Sequence, residues 1–225
     1  MLKKSNLIFV LTTLFWGLSL KAQPQRDFGM QFKIDIEKKI SRSFSVSYIN
    51  QSSFNQNTTE LYYNYNDIGA DYRINRNFTC DLRYRYVKLR NLDNAYEVRN
   101  VFYTDLMYVK GLGRFSALAR ERLQRQFYGS IDNNNPRSFI DYSRTKFQLK
   151  YRCNYYWSPY ISFEFYYPLN HPIRKYTDQY KETMGLFYTI NDHYKVEVYY
   201  QAQQLTDRKF KRFNNILALN LYCKF

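Results

Sequence analysis

The sequence predicts an all-β protein, an antiparallel up-and-down transmembrane β-barrel of outer-membrane type with about 10–12 strands, and three observations carry that prediction. Apolar and polar residues alternate with period two along nearly the whole chain from Phe28 onward, where an amphipathic helix would show a period of 3.6. The connections between alternating segments are short and long in turn, as in a barrel with tight turns on one rim and loops on the other. Tyr and Phe are abundant, at 25 and 18 of 225 residues, and they crowd the segment ends where interfacial girdles would lie.

Residues 1–22 read as a secretory signal peptide. Lys3 and Lys4 form the positive start, Leu7 to Leu20 the apolar stretch, and Leu20-Lys21-Ala22 a cleavage site before Gln23. The stretch is short for a membrane span and is interrupted by Thr12, Thr13, Gly17 and Ser19. No cysteine stands at the cleavage point to take a lipid. Residues 23–225 then form a single barrel domain, with no room for a second. The formal charge of +15 falls to +12 once Lys3, Lys4 and Lys21 are removed. The three cysteines, Cys80, Cys153 and Cys223, are too few and too scattered for a disulfide framework. They read as packed or lipid-facing thiols in the apolar phase of their strands, with a Cys80–Cys223 bridge as the alternative.

Eleven strand segments follow from the alternation: 28–37, 43–54, 60–74, 78–90, 97–109, 115–126, 139–153, 159–167, 180–190, 194–203 and 214–225. The first sets Phe28, Met30, Phe32, Ile34 and Ile36 against Gly29, Gln31, Lys33, Asp35 and Glu37. In the third, Ile68, Ala70 and Tyr72 oppose Asp67, Asp71 and Arg73, but the phase slips between Leu61, Tyr63, Tyr65 and Ile68. The fourth sets Phe78, Cys80, Leu82, Tyr84 and Tyr86 against Asp81, Arg83 and Arg85. The seventh sets Phe147, Leu149 and Tyr151 against Lys146, Lys150 and Arg152, and the last runs through Leu217, Leu219, Leu221 and Cys223 to Phe225. Tight connections fall at 75–77, 110–114, 154–158 and 191–193, and extended ones at 89–96, 127–138, 168–179 and 204–213. A charged second face distinguishes this pattern from a soluble barrel, whose interior is apolar. Single-chain bacterial barrels have even strand numbers, so eleven segments imply either ten strands or, with a hidden reversal in 43–74, twelve; the phase slip favours twelve. Girdle positions are read at Tyr84 and Tyr86, Tyr151, Tyr166 and Tyr167, and Tyr199 and Tyr200.

Several segments carry a family resemblance: Asp67–Ile74 (DIGADYRI), Asp81–Tyr86 (DLRYRY), Arg120–Arg122 (RER), Leu149–Arg152 (LKYR), Phe163–Pro168 (FEFYYP), and Gly185–Tyr188 (GLFY) leading into 194–200. The chain resembles, over nearly its whole mature length, the uncharacterised outer-membrane barrel family of Bacteroidota catalogued as domain of unknown function 2490. A Trp typical near the start of such chains is replaced here by Phe28. The resemblance implies a barrel in the outer membrane of a Gram-negative bacterium and no particular activity.

The inward face is where chemistry could reside. Arg73, Arg83, Arg85, Arg99, Arg120, Arg122, Arg144, Lys146, Lys150, Arg152 and Lys195 fall on it, against Asp67, Asp71, Asp81, Asp105, Glu164 and Glu197. Such a column would concentrate small anionic solutes, with Arg forking onto carboxylates and Tyr stacking on sugar rings. Interleaved Arg, Asp, Glu and Tyr could equally fill a closed, structural barrel. Phe225, ending the last alternating strand, resembles the terminal aromatic read by the outer-membrane assembly machinery. Lipid or lipopolysaccharide contacts the outer wall. Nucleic-acid binding is disfavoured by the export signal, no cofactor or metal site is implied, and no enzyme is expected. A lipid-modifying enzyme or a partner-binding barrel would depend on the loops at 127–138 and 168–179, with His171 and Asp178 as the only plausible base, because His193 falls on the opposite rim. Glu121 falls in the lipid-facing phase beside Ala117 and Ala119, which places it near the headgroups or at a bulge.

Overall fold

The computed structural model describes residues 26–55, 58–90, 95–128, 139–170, 177–205 and 212–225. Eleven strands run in chain order around a closed barrel: β1 (Arg26–Lys39), β2 (Phe44–Asn55), β3 (Glu60–Arg73), β4 (Phe78–Arg90), β5 (Tyr96–Leu112), β6 (Phe115–Tyr128), β7 (Phe139–Tyr151), β8 (Trp157–Pro168), β9 (Gln179–Thr189), β10 (Tyr194–Leu205) and β11 (Arg212–Lys224). The segment at 1–22 and the residue His171 lie outside the described residues.

Neither ten nor twelve strands is correct. All neighbouring pairs are antiparallel except β1 and β11, which run parallel from Arg26 opposite Phe213 to Glu37 opposite Lys224. An odd number of up-and-down strands leaves the first and last pointing the same way, so the sheet closes through parallel hydrogen bonds. The expectation failed because it took antiparallel closure as given. The phase slip in β3 is not a reversal either. Ser53 pairs with Tyr63 and Phe54 with Leu61, so Tyr62 is the extra residue of a bulge. Tyr65 stays on the inward face with Asp67 and is buried there.

Four of the five short turns share one local design. Each runs apolar residue, Ser or Asn, two residues, then an aromatic: Ile40–Phe44, Ile74–Phe78, Cys153–Trp157 and Ile190–Tyr194. In each, the first residue's N–H donates to the aromatic residue's carbonyl at 3.0–3.1 Å. The side-chain oxygen of Ser41, Asn75, Asn154 or Asn191 accepts two further N–H groups, two and three residues ahead. The fifth turn, between β5 and β6, uses Gly113 at φ 63°, a left-handed geometry that costs glycine nothing. Every short turn thus delivers an aromatic to the start of the next strand, and Phe44, Phe78, Phe115, Trp157 and Tyr194 form one rim's girdle. Cys153 sits in such a turn and is exposed, while Cys80 and Cys223 stay in the outward phase of their strands; all three are free thiols. Consecutive tyrosines cannot share a face, so Tyr167 and Tyr200 point outward while Tyr166 and Tyr199 line the interior.

The outer wall is apolar and exposed, with Leu82 at 69% and Ile68 at 62%, the inverse of a water-soluble protein and the arrangement a lipid bath demands. Glu121 interrupts it. It stands midway along β6, between the Phe115–Tyr151 and Phe127–Phe139 pairs, with no bulge in its register. Cross-strand Ser143 and Thr145 hydroxyls donate to its two carboxylate oxygens at 2.5 and 2.6 Å. A carboxylate held in the apolar band lowers stability, so Glu121→Leu is expected to raise the unfolding free energy by about 1–2 kcal/mol in chemical denaturation from lipid vesicles. The parallel closure has its own test. Cysteines replacing Phe32 and Leu219, which are register partners, in a background free of native cysteines, are expected to form an intramolecular disulfide visible as a mobility shift of the folded band; an even-stranded, antiparallel closure would give none.

Candidate functional site

The interior splits into two walls of different character. On β3 to β8 the inward residues build a ladder in which Arg83, Arg85, Arg120, Arg122 and Arg144 each meet a carboxylate. Arg83 donates to Asp71 at 2.6 Å. Arg85 reaches Asp67 through Nε and Nη2 at 2.9 and 2.7 Å, and the Tyr103 hydroxyl donates to the same carboxylate. Arg122 grips Asp105 with two parallel bonds of 2.6 and 2.7 Å. Arg144 donates to Glu164 at 2.7 Å and to Gln124 at 2.9 Å, and Arg120 donates to Glu164 as well. Tyrosine faces complete the stack, with Tyr65 4.0 Å from Arg85, Tyr103 3.8 Å from Arg122 and Tyr166 4.1 Å from Arg144.

Five arginines and five carboxylates, counting Asp81 beside Arg83 at 3.8 Å, therefore cancel. Asp67 is fully buried beneath the ladder. Gly69 permits the close packing, since a Cβ there would come within 2.4 Å of the Arg83 side chain. Above the ladder, towards the long-loop rim, Tyr65, Val87, Val101 and Tyr103 form a small buried apolar cluster with Ile49 and Leu89 against it. The inward phase of β4 and β5 thus changes from charged to apolar along the strand.

The other wall, β9 to β11 with β1 and β2, is more open and its charges are less matched. A cavity of about 1520 Å³ runs along it from the short-turn rim, at Arg42, Asp192 and His193, to the long-loop rim, at Glu60, Gln203 and Asn214. Fifteen cationic and eight acidic side chains line it. Among the described residues that line it, Lys39, Arg42, Arg73, Lys146, Lys181 and Lys195 make no ion pair, and these, drawn from both walls, supply most of the cationic surplus.

Of the residues expected on this face, Arg73, Arg83, Arg85, Arg99, Arg120, Arg122 and Glu164 line the cavity. Arg99 is tied to Glu97 at 2.7 Å, and Arg73 is exposed at the short-turn rim. Lys150 and Arg152 do not line it. Lys150 lies 5.7 Å from the Phe187 ring. Strand β7 ends at Tyr151, so Arg152 falls in the turn, its N–H bonded to the Arg114 carbonyl at 2.8 Å and its side chain exposed. Lys33, Asp35 and Lys181 were missed as site residues although they share the inward parity, and so were the interior tyrosines, whose position two residues from an inward charge was the available signal.

Phe225 is held from both sides. Its N–H donates to the Glu37 carbonyl and its carbonyl accepts from Lys39, at 2.9 and 2.8 Å, while its ring stacks on His193 at 6.3 Å. His193 Nδ1 lies 2.8 Å from the Lys224 carbonyl, which gives this histidine a place in the rim's packing. Asp178 is buried at the opposite rim. No group of three His, Cys, Asp or Glu side chains among the described residues could hold a metal ion.

A family model described as a protein of unknown function, DUF2490, matches residues 28–214. No curated protein matches the chain. Among solved structures the chain is similar to the NanC porin, with a TM-score of 0.53 and 13% identity over 88% of this chain and 99% of that one. The β-domain of the Bordetella autotransporter BrkA gives a TM-score of 0.49 and 8% identity over 78% of this chain and 82% of that domain. The likeness to the porin is one of fold.

The ladder makes a stability prediction. Arg122→Met strands the buried Asp105 carboxylate and is expected to cost about 3 kcal/mol, read as a lower denaturant midpoint. The double variant Arg122→Met/Asp105→Leu is expected to recover most of that loss, because removing both charges leaves nothing unpaired.

Proposed function

We propose that this chain, which belongs to the DUF2490 family, is a non-enzymatic outer-membrane barrel of a Gram-negative bacterium that acts as a narrow pore for small anionic solutes. The observation that carries the reading is the cavity that reaches from one rim to the other with fifteen cations against eight acids on its walls. Spread over a barrel about 30 Å tall, its volume averages to a bore of roughly 50 Å², enough for a small organic acid or a single sugar ring. In a low-dielectric wall an uncompensated positive charge raises the local anion concentration.

The ladder and the surplus have different roles in this reading. Arg83, Arg85, Arg120 and Arg122 hold the wall, because their charges are consumed by carboxylates. Arg73 and Lys195, unpaired and exposed at the short-turn rim, act on the passing ion. Export through residues 1–22, recognition of Phe225 by the outer-membrane assembly machinery and contact of the apolar wall with lipid or lipopolysaccharide complete the proposal.

Planar-bilayer recordings of the refolded mature protein under a salt gradient test it. Stepwise conductance with a reversal potential on the anion-selective side is expected, and Arg73→Gln/Lys195→Gln is expected to move that potential towards zero while leaving folding intact. Silence from demonstrably folded protein, or cation selectivity, would overturn the pore.

A further inference from the structure

The charges that do not line the cavity are unevenly placed along the height of the barrel. Five exposed cations, Lys38, Arg76, Lys110, Arg114 and Arg152, stand at or beside the short turns and outside the cavity lining. Among the described residues none of the five makes an ion pair or a side-chain hydrogen bond, and no Asp or Glu shares their side of the rim. Glu37 and Asp192, the acids of this rim, line the cavity and are engaged, by Lys224 at 2.8 Å and by the Tyr155 hydroxyl at 2.7 Å. Farther along the outward strand faces the charges nearly balance. There Lys88 and Arg125 stand against Glu121, Asp141 and Glu182, and Arg125 is tied to Asp141 at 2.7 Å. Among the described residues the exterior is therefore strongly positive at the short-turn rim alone.

The placement of these cations says what they meet. They are spread over four of the five short turns, from the β1–β2 turn to the β7–β8 turn, so they ring most of the wall instead of forming one patch. They also follow the aromatic girdle. Arg114 directly precedes Phe115, and Arg76 stands just before Phe78. Lys38 and Lys110 occupy the outward phase of β1 and β5, opposite Val46 and Ala117, slightly inside the level of Phe44 and Phe115. Their long stems can lie on the apolar wall and carry the ammonium past the aromatics to headgroup level. A protein partner would need one compact complementary area. Separated cations along the perimeter of an apolar band fit an annulus of headgroups, with each guanidinium able to fork onto two phosphate oxygens.

We propose that the exterior of the short-turn rim binds anionic phospholipid headgroups, whose phosphates are held around the perimeter by Lys38, Arg76, Lys110, Arg114 and Arg152. In barrels of this type the short turns are periplasmic, on the side of the phospholipid leaflet. The proposal rests on the outer-membrane barrel and is independent of the pore.

Electron spin resonance of spin-labelled lipids tests it, in phosphatidylcholine vesicles that hold the refolded full barrel. Labelled phosphatidylglycerol is expected to be immobilised at the wall about threefold more strongly than labelled phosphatidylcholine at low salt, and the preference to fade near about 1 M salt. The variant Lys38→Gln/Arg76→Gln/Lys110→Gln/Arg114→Gln/Arg152→Gln is expected to fold, as shown by heat-modifiable mobility, and to lose the preference. Lys38→Arg/Lys110→Arg and, towards the opposite rim, Lys88→Gln are expected to keep it. Equal immobilisation of the two lipids by the native barrel, or an undiminished preference in the fivefold variant, would overturn the proposal. Poly-glutamate serves as the probe for the rival occupant: saturable binding to the embedded barrel with no lipid preference would overturn the lipid site and assign the rim to an acidic protein segment. A barrel that carries no current but keeps the lipid preference loses the pore and retains this site. Absence of any immobilised lipid would overturn the membrane barrel and the site together.

Discussion

A sheet surrounded by hydrocarbon cannot leave an edge, because every unpaired N–H and C=O would face a medium that offers no partner. Everything else in this molecule depends on meeting that requirement with eleven strands. The parallel seam between β1 and β11 pairs twelve residues of each strand and ends on Phe225, whose backbone completes the closure against Glu37 and Lys39. Because the seam fixes the register, it also fixes which residues face inward. The ion-pair ladder, the cavity and the outer apolar wall all follow from that one alignment.

Inside, net charge and free charge are different quantities. A count of arginines along β4 and β6 suggests a strongly positive lumen, yet each of those guanidinium groups is matched by a carboxylate one or two strands away, in several cases its direct register partner, as with Arg85 and Asp67 or Arg122 and Asp105. Pairing of this kind keeps desolvated charges tolerable in the wall. In the proposed pore, the charge left to a solute includes Lys181 and Lys195 on β9 and β10, which make no ion pair among the described residues and stand among aromatic and amide groups.

Most of the strand framework was legible in the sequence because a strand with one face in lipid and one in a polar interior has the cleanest alternation a chain can show. Boundaries agreed to within a few residues, as for β4 at 78–90. Parity was misjudged because local alternation says nothing about how the two end strands meet. Tyr166 and Tyr199 were read as girdle residues since an aromatic reports its affinity for an interface without reporting its phase, and here the Tyr166 ring carries Arg144 while the Tyr199 hydroxyl accepts a hydrogen bond from the Gln31 amide. The pairing of the inward arginines was out of reach for a different reason: it needs register, and register is a relation between strands. Arg152 shows the same limit at a strand end, where one residue decides between lumen and turn. The turn design, in contrast, was written in the chain four times over and needed only to be compared with itself.

The seam puts the beginning of β1 on the long-loop rim and the end of β11 on the short-turn rim. In an even-stranded barrel the two ends share a rim, and a few residues can join them so that the chain is cut open elsewhere. Here any such joint would have to travel the full height of the wall. Along the outside it would drag unpaired peptide groups through lipid, and along the inside it would thread the cavity like a rope through a pipe. The order of strands in this barrel cannot be rotated without either breaking the wall or filling the bore.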